Sequence, residues 1–143
     1  MKLKLLRLAL VAAAASLSPF AIQAQNVPLL LFDGEKGQVF AGCLNCNKFD
    51  DAAVCNKFGK YGSKFEDLSI WNQFGVFGSK FETNSPWNSF GEGLRIVDQN
   101  GNYYGRFTLG LTDRSAVPLV SSILSAYKAM GDLDALRDLL CEQ

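Results

Sequence analysis

The residues best placed to do chemistry are Cys43, Cys46, Cys55 and Cys141. Cys43-Leu44-Asn45-Cys46 is a C-x-x-C, which in thioredoxin-like enzymes stands where a strand passes into a helix and one thiol pKa is lowered. Val39 to Gly42 suits the strand. Asn47, Asp50 and Asp51 suit a turn better than a helix, and no βαβ pattern surrounds the motif. Four thiolates could hold zinc, but Cys55 and Cys141 form no second C-x-x-C and the chain has no histidine. No metal and no cofactor is therefore expected.

The missing histidine weighs against catalysis generally. The usual acid–base group at neutral pH is absent, and a serine or cysteine nucleophile would lack its common partner. Asp50, Asp51, Glu66, Asp67 and Glu82 read as solvated turn charges. The expectation is a non-enzymatic domain that binds or builds, with thiol–disulfide exchange at Cys43 and Cys46 as the enzymatic alternative.

The N-terminus sets the compartment and with it the reading of the cysteines. Lys2, Lys4 and Arg7 precede an apolar run from Leu8 to Leu17, and small Ala24 stands at the expected cleavage edge. Residues 1–24 thus read as a secretory signal peptide, not a membrane span. Residues 25–143 form the expected single, disulfide-stabilised domain, periplasmic or secreted. Removing Lys2, Lys4 and Arg7 leaves 11 basic residues against 14 acidic ones, a formal −3. No basic stripe remains to hold nucleic acid, and no second apolar stretch could span a bilayer.

The elements that must position the cysteines centre on a recurring phrase. Cys46-Asn47-Lys48-Phe49, Cys55-Asn56-Lys57-Phe58, Trp71-Asn72-Gln73-Phe74 and Trp87-Asn88-Ser89-Phe90 start 9, 16 and 16 residues apart. Recurrence at a fixed period means that each copy is a unit leaning on its neighbours. Cys46 and Cys55 then occupy the place of Trp71 and Trp87, which favours bridges Cys46–Cys55 and Cys43–Cys141 among the three pairings. Ser85-Pro86-Trp87-Asn88-Ser89-Phe90-Gly91 has serine, proline and glycine where a one-turn helix wants its cap, first residue and exit. The region is expected to be short helical turns joined by glycine loops, its ten aromatics turned into a shared core. A binding alternative makes Trp71, Trp87, Asn72 and Asn88 contacts for an envelope glycan; a protein partner is equally open.

Hairpin signals flank this region. Pro28–Phe32 and Gln38–Ala41 enclose Asp33-Gly34-Glu35-Lys36-Gly37, while 94–108 forms a second hairpin about Asn100-Gly101. Asp98, Asn100 and Asn102 start like a calcium loop, but the glycine stands at position 4 and Leu109 at position 12, so the turn reading prevails. Residues 115–141 read as a helical hairpin, with Leu119, Ile123, Tyr127 and Met130 at helical spacing and Gly131-Asp132 at its corner. The fold class is α+β: a small antiparallel sheet of two hairpins, an inserted glycine/aromatic repeat region, and a C-terminal αα-hairpin.

From Leu30 through Phe107 the chain resembles small exported bacterial proteins carrying tandem [Cys/Trp]-Asn-x-[Phe/Tyr]-Gly-x-[Phe/Tyr]-Gly-Ser units. In these, a segment like Val97-Asp98-Gln99-Asn100-Gly101-Asn102-Tyr103-Tyr104-Gly105-Arg106-Phe107-Thr108 comes after the units. The resemblance implies one domain and carries no activity and no catalytic residues.

Overall fold

A computed structural model describes residues 27–142; the expected leader, 1–24, lies outside them. Four short strands, β1 (Leu30–Asp33), β2 (Phe40–Cys43), β3 (Leu94–Val97) and β4 (Tyr103–Phe107), form one antiparallel sheet in the order β2-β1-β3-β4. Each hairpin closes locally, and β1 against β3 joins them, with Leu31 opposite Ile96 and Asp33 opposite Leu94. Leu31, Leu94 and Ile96 are fully buried, so this central pairing carries the sheet into the core.

A buried aspartate organises each hairpin turn. Asp33 accepts from the backbone N–H groups of Lys36, Gln38 and Val39 at 2.6–2.9 Å. Asp98 accepts from the N–H of Asn100 and Asn102, from the Asn102 amide and from the Tyr104 hydroxyl, all at 2.8–3.0 Å. Its oxygens are thus spent on the turn, as the Asn-Gly signal implies, and Gly101 supplies the left-handed residue (φ +81°).

The helical hairpin is α1 (Pro118–Met130) and α2 (Leu133–Cys141). Pro118 opens α1, left-handed Gly131 closes it, and the Asp132 carboxylate caps α2 through the Ala135 N–H. Val120, Ile123, Leu124 and Leu136 pack into the same core as the sheet. No helix among the described residues is long and apolar enough to cross a membrane.

Residues 44–93 connect edge strand β2 to interior strand β3, and no helix is formed there. The short helical turns expected there, as at Ser85–Gly91, are replaced by consecutive hydrogen-bonded turns without a helix. Backbone N–H to carbonyl bonds run 50→47, 53→50, 56→53, 59→56 and 63→59, and the sequence restarts sixteen residues on: 66→63, 69→66, 72→69, 75→72 and 79→75. Only about every third residue donates along this track.

The intervening donors explain why. The side-chain oxygens of Asn47, Asn56, Ser63, Ser69, Asn72, Ser79, Ser85 and Asn88 each accept from the N–H two residues ahead, at 3.0–3.3 Å. Such local bonds compete with helix propagation and end each turn at a corner. The amides of Asn56, Asn72 and Asn88 then reach the carbonyl six residues back, at 3.1–3.2 Å. The chain therefore winds with sixteen residues per cycle. A Cβ at Gly62 or Gly78 would lie 2.0 Å from the Asn56 or Asn72 carbonyl oxygen, so only glycine fits where the winding closes on itself.

Successive cycles lock through tryptophan. The Trp71 indole N–H donates to the Val54 carbonyl and that of Trp87 to the Ile70 carbonyl, both at 2.7 Å and both seventeen residues back. The two indoles lie 6.0 Å apart, and Trp87 also meets Phe107 of β4 and Tyr127 of α1 at 5.3 and 4.7 Å. The inner face of the winding thereby joins the sheet and helices in one core.

The disulfides correct the expected pairing. They are Cys43–Cys46 and Cys55–Cys141, with Cα–Cα distances of 5.5 and 5.2 Å. Cys46 is not the equivalent of Cys55. The structural period is sixteen, which aligns Cys55 with Trp71 and Trp87 but Cys46 with Gly62 and Gly78. Cys55 sits at the inward corner, where it meets Cys141 at the end of α2. Cys46 is left beside the end of β2.

Candidate functional site

The outer face of the winding carries the least expected feature of the molecule. Of the ten aromatics expected inside, six are on the surface: Phe49, Phe58, Phe65, Phe74, Phe81 and Phe90 are 81–99% exposed. Only Trp71, Trp87 and Phe77 are buried, while Tyr61 is half-buried and packs edge-on against Phe40 at 4.9 Å. Soluble chains rarely leave so many large apolar side chains together in water.

The corner that each residue occupies in the cycle fixes this direction, since the same local bond also holds the N–H groups of inward-pointing Trp71 and Trp87. Each exposed Phe stands two residues after an Asn or Ser whose side chain holds its N–H, at the third position of a turn that bulges outward. Because the cycle is sixteen residues, the rings fall into two series. One is Phe49, Phe65 and Phe81; the other is Phe58, Phe74 and Phe90. Stacked cycles place each series as a column along the winding.

The two columns differ in their neighbours. The first is built from Lys48-Phe49-Asp50, Lys64-Phe65-Glu66 and Lys80-Phe81-Glu82, so each ring has a cation before it and a carboxylate after it. All nine of these residues are exposed. Each lysine ammonium lies 5.4–5.7 Å from the adjacent ring centroid, within cation–π range. In the second column the rings are followed by Gly59, Gly75 and Gly91 and preceded by Lys57, Gln73 and Ser89, a nearly neutral setting.

The ligand contacts expected from sequence stand elsewhere. The Trp71 and Trp87 rings are covered on the inner face and offer nothing to stack on. Asn72 is buried and Asn88 half-buried, and in each both ends of the amide are used within the winding. These four residues are corner posts, and the exposed partners of the phrase are its phenylalanines. A signal was available: the Lys-Phe-acid triplets put charges on both sides of a ring, which suits an outward corner.

Cys43 and Cys46 are bridged to each other. Cys43 is buried in β2 and Cys46 half-buried. The chain after Cys46 enters the first turn of the winding, so no helix starts after the C-x-x-C as it does in thioredoxin-like enzymes. No cluster of three or more His, Cys, Asp or Glu suited to a metal occurs among the described residues. Comparison with protein-family models, with curated proteins and with solved structures returns no match. The outer face must be understood from its own chemistry.

Proposed function

We propose that this protein is an exported, non-enzymatic binding domain of the cell envelope or its surroundings, and that its recognition surface is the phenylalanine-bearing outer face of the winding. The observation that carries the reading is the division of one repeated phrase into two roles. In its last three copies Cys55, Trp71 or Trp87 points inward and fastens the cycle, while Phe58, Phe74 or Phe90 is exposed. Burial of an exposed ring contributes about 1.5–3 kcal/mol, so a partner must cover several of them together to offset the cost of association.

In this reading residues 1–24 direct export, the sixteen-residue unit is the scaffold, and the two disulfides hold it in an oxidising compartment. The resemblance to small exported proteins with tandem units agrees with it. Envelope glycan is a second ligand class, favoured by the neutral column: Phe74 between Gln73 and Gly75, and Phe90 between Ser89 and Gly91, are exposed among uncharged neighbours.

The test is a photo-reactive phenylalanine analogue placed at Phe65 or Phe74 in the exporting cell, with exposed Ser121 of α1 as control. Adducts of discrete mass from the Phe positions, and none from Ser121, are expected. Equal labelling at all three sites, or none at any, would refute the reading.

A further inference from the structure

We infer that the charged column docks a second copy of this chain, ring against ring, about a two-fold axis running along the column. The inference rests on the binding role proposed for the phenylalanine face and names the partner of one of its two columns.

The charged triplets select the axis. Along the chain each level runs lysine, phenylalanine, carboxylate, the triplet recurs every sixteen residues, and the indole bonds of Trp71 and Trp87 to the preceding cycle stack these levels. A two-fold contact presents one patch to itself. With the axis along the column, the flanks exchange: Lys64 meets Glu66 of the second copy, Lys80 meets its Glu82, and Phe65 lies on its Phe65. An axis across the column would set lysine against lysine and acid against acid. One geometry therefore satisfies all three levels at once, and like-charge repulsion excludes the other.

The size is adequate. Three rings at about 150–200 Å² each, with the lysine stems lying over them, approach the roughly 800 Å² per partner of a standard interface. Aromatic rings at the centre with charges at the rim is the usual anatomy of such a contact. The intramolecular Lys64–Asp134 pair, at 3.4 Å, is exposed on both sides and weak enough to exchange. The neutral column has no such charged triplets, so self-pairing is specific to Phe49, Phe65 and Phe81.

The experiment is sedimentation of the purified protein over a wide concentration range, with two charge-reversed chains. Lys64→Glu/Lys80→Glu makes both flanks acidic at two levels, and Glu66→Lys/Glu82→Lys makes both basic. All four residues are exposed, and unchanged circular dichroism spectra verify the folds. We expect a reversible dimer for the native chain, dissociation constants raised at least about tenfold for each variant alone, and recovery to within about threefold when the two are mixed. A native chain that stays monomeric, variants that dimerise like the native chain, or a mixture that does not recover would each overturn the inference. A monomeric chain that still gives discrete adducts from Phe74 would leave the binding role standing and remove only this partner.

Discussion

The indole N–H of Trp87 donates to the carbonyl of Ile70, 2.7 Å away and one winding earlier. Trp71 does the same to Val54. Neither carbonyl is at a helix or strand, so these bonds satisfy backbone that regular structure leaves open, and they set the spacing between cycles. Replacing Trp87 with Phe keeps most of the ring but leaves the Ile70 carbonyl buried without this donor. Urea unfolding followed by circular dichroism should show a loss of about 1–3 kcal/mol, and a larger loss of about 3–5 kcal/mol for Trp87→Ala. Stability unchanged in Trp87→Phe would mean the bond does not hold the cycles.

Gly78→Ala should be more harmful than Gly131→Ala, though Gly131 alone of the two has positive φ (+66°). At Gly78 the new methyl meets the Asn72 carbonyl oxygen and carbon at 2.0 and 2.5 Å, backbone atoms that cannot turn aside. At Gly131 nothing lies within 4 Å, and only the left-handed conformation costs, about 1 kcal/mol. Thermal unfolding of the two variants compares them directly, with Gly78→Ala expected to lose more than about 2 kcal/mol.

The two disulfides should contribute unequally. Cys55–Cys141 spans 86 residues and Cys43–Cys46 only 3. Loop-closure arguments give about 4–5 kcal/mol for the long bridge and about 2 kcal/mol for the short one. Paired serine variants of each, unfolded in urea, measure the difference. The long bridge also ties α2 to the first cycle, so its loss should expose the backbone around Val54 to hydrogen exchange.

Acid should loosen the hairpin turns first. Burial pushes the Asp33 carboxyl up, but backbone N–H bonds from Val39, Lys36, Gln38 and Gly37 together outweigh it and hold its pKa below the usual 3.8. At Asp98 the Asn102 side-chain bond is the largest cause of lowering, joined by Asn102 and Asn100 backbone N–H groups and the Tyr104 hydroxyl against the opposing effect of burial. Both folded pKa values are depressed, so their stabilisation is complete above the unfolded value and is lost as pH falls from there through the folded values. The urea midpoint should therefore fall as pH drops below about 4, and less steeply in Asp98→Asn. An equal slope in that variant would contradict the assignment.

Much of the framework was legible because its signals are local. Alternating apolar residues around Asn100-Gly101 mark a hairpin, and Leu119, Ile123 and Tyr127 at helical spacing mark α1. The pairing of the two hairpins into one sheet was expected, but the join of β1 to β3 depends on contacts distant in sequence, with Leu31 opposite Ile96, which no local signal marks. The cysteine pairing differs from expectation because Cys46 shares Asn-Lys-Phe with Cys55 while standing nine residues away instead of sixteen. The short helices do not form because the Asn and Ser oxygens capture the N–H two residues ahead. The outward phenylalanines were hidden for a related reason. Hydrophobicity places an aromatic inside, whereas here the turn corner decides, and the inner corners were already taken by Cys55, Trp71 and Trp87.

The most direct test replaces all six exposed phenylalanines with serine and measures the urea unfolding free energy. If the winding is held by its tryptophans, its asparagine bonds and Cys55–Cys141, the chain should fold and keep its stability to within about 3 kcal/mol in total, since exposed substitutions each change about 0.5 kcal/mol or less. A variant that fails to fold, or loses the several kcal/mol expected of buried rings, would show that the phenylalanines belong to the core and not to a binding face.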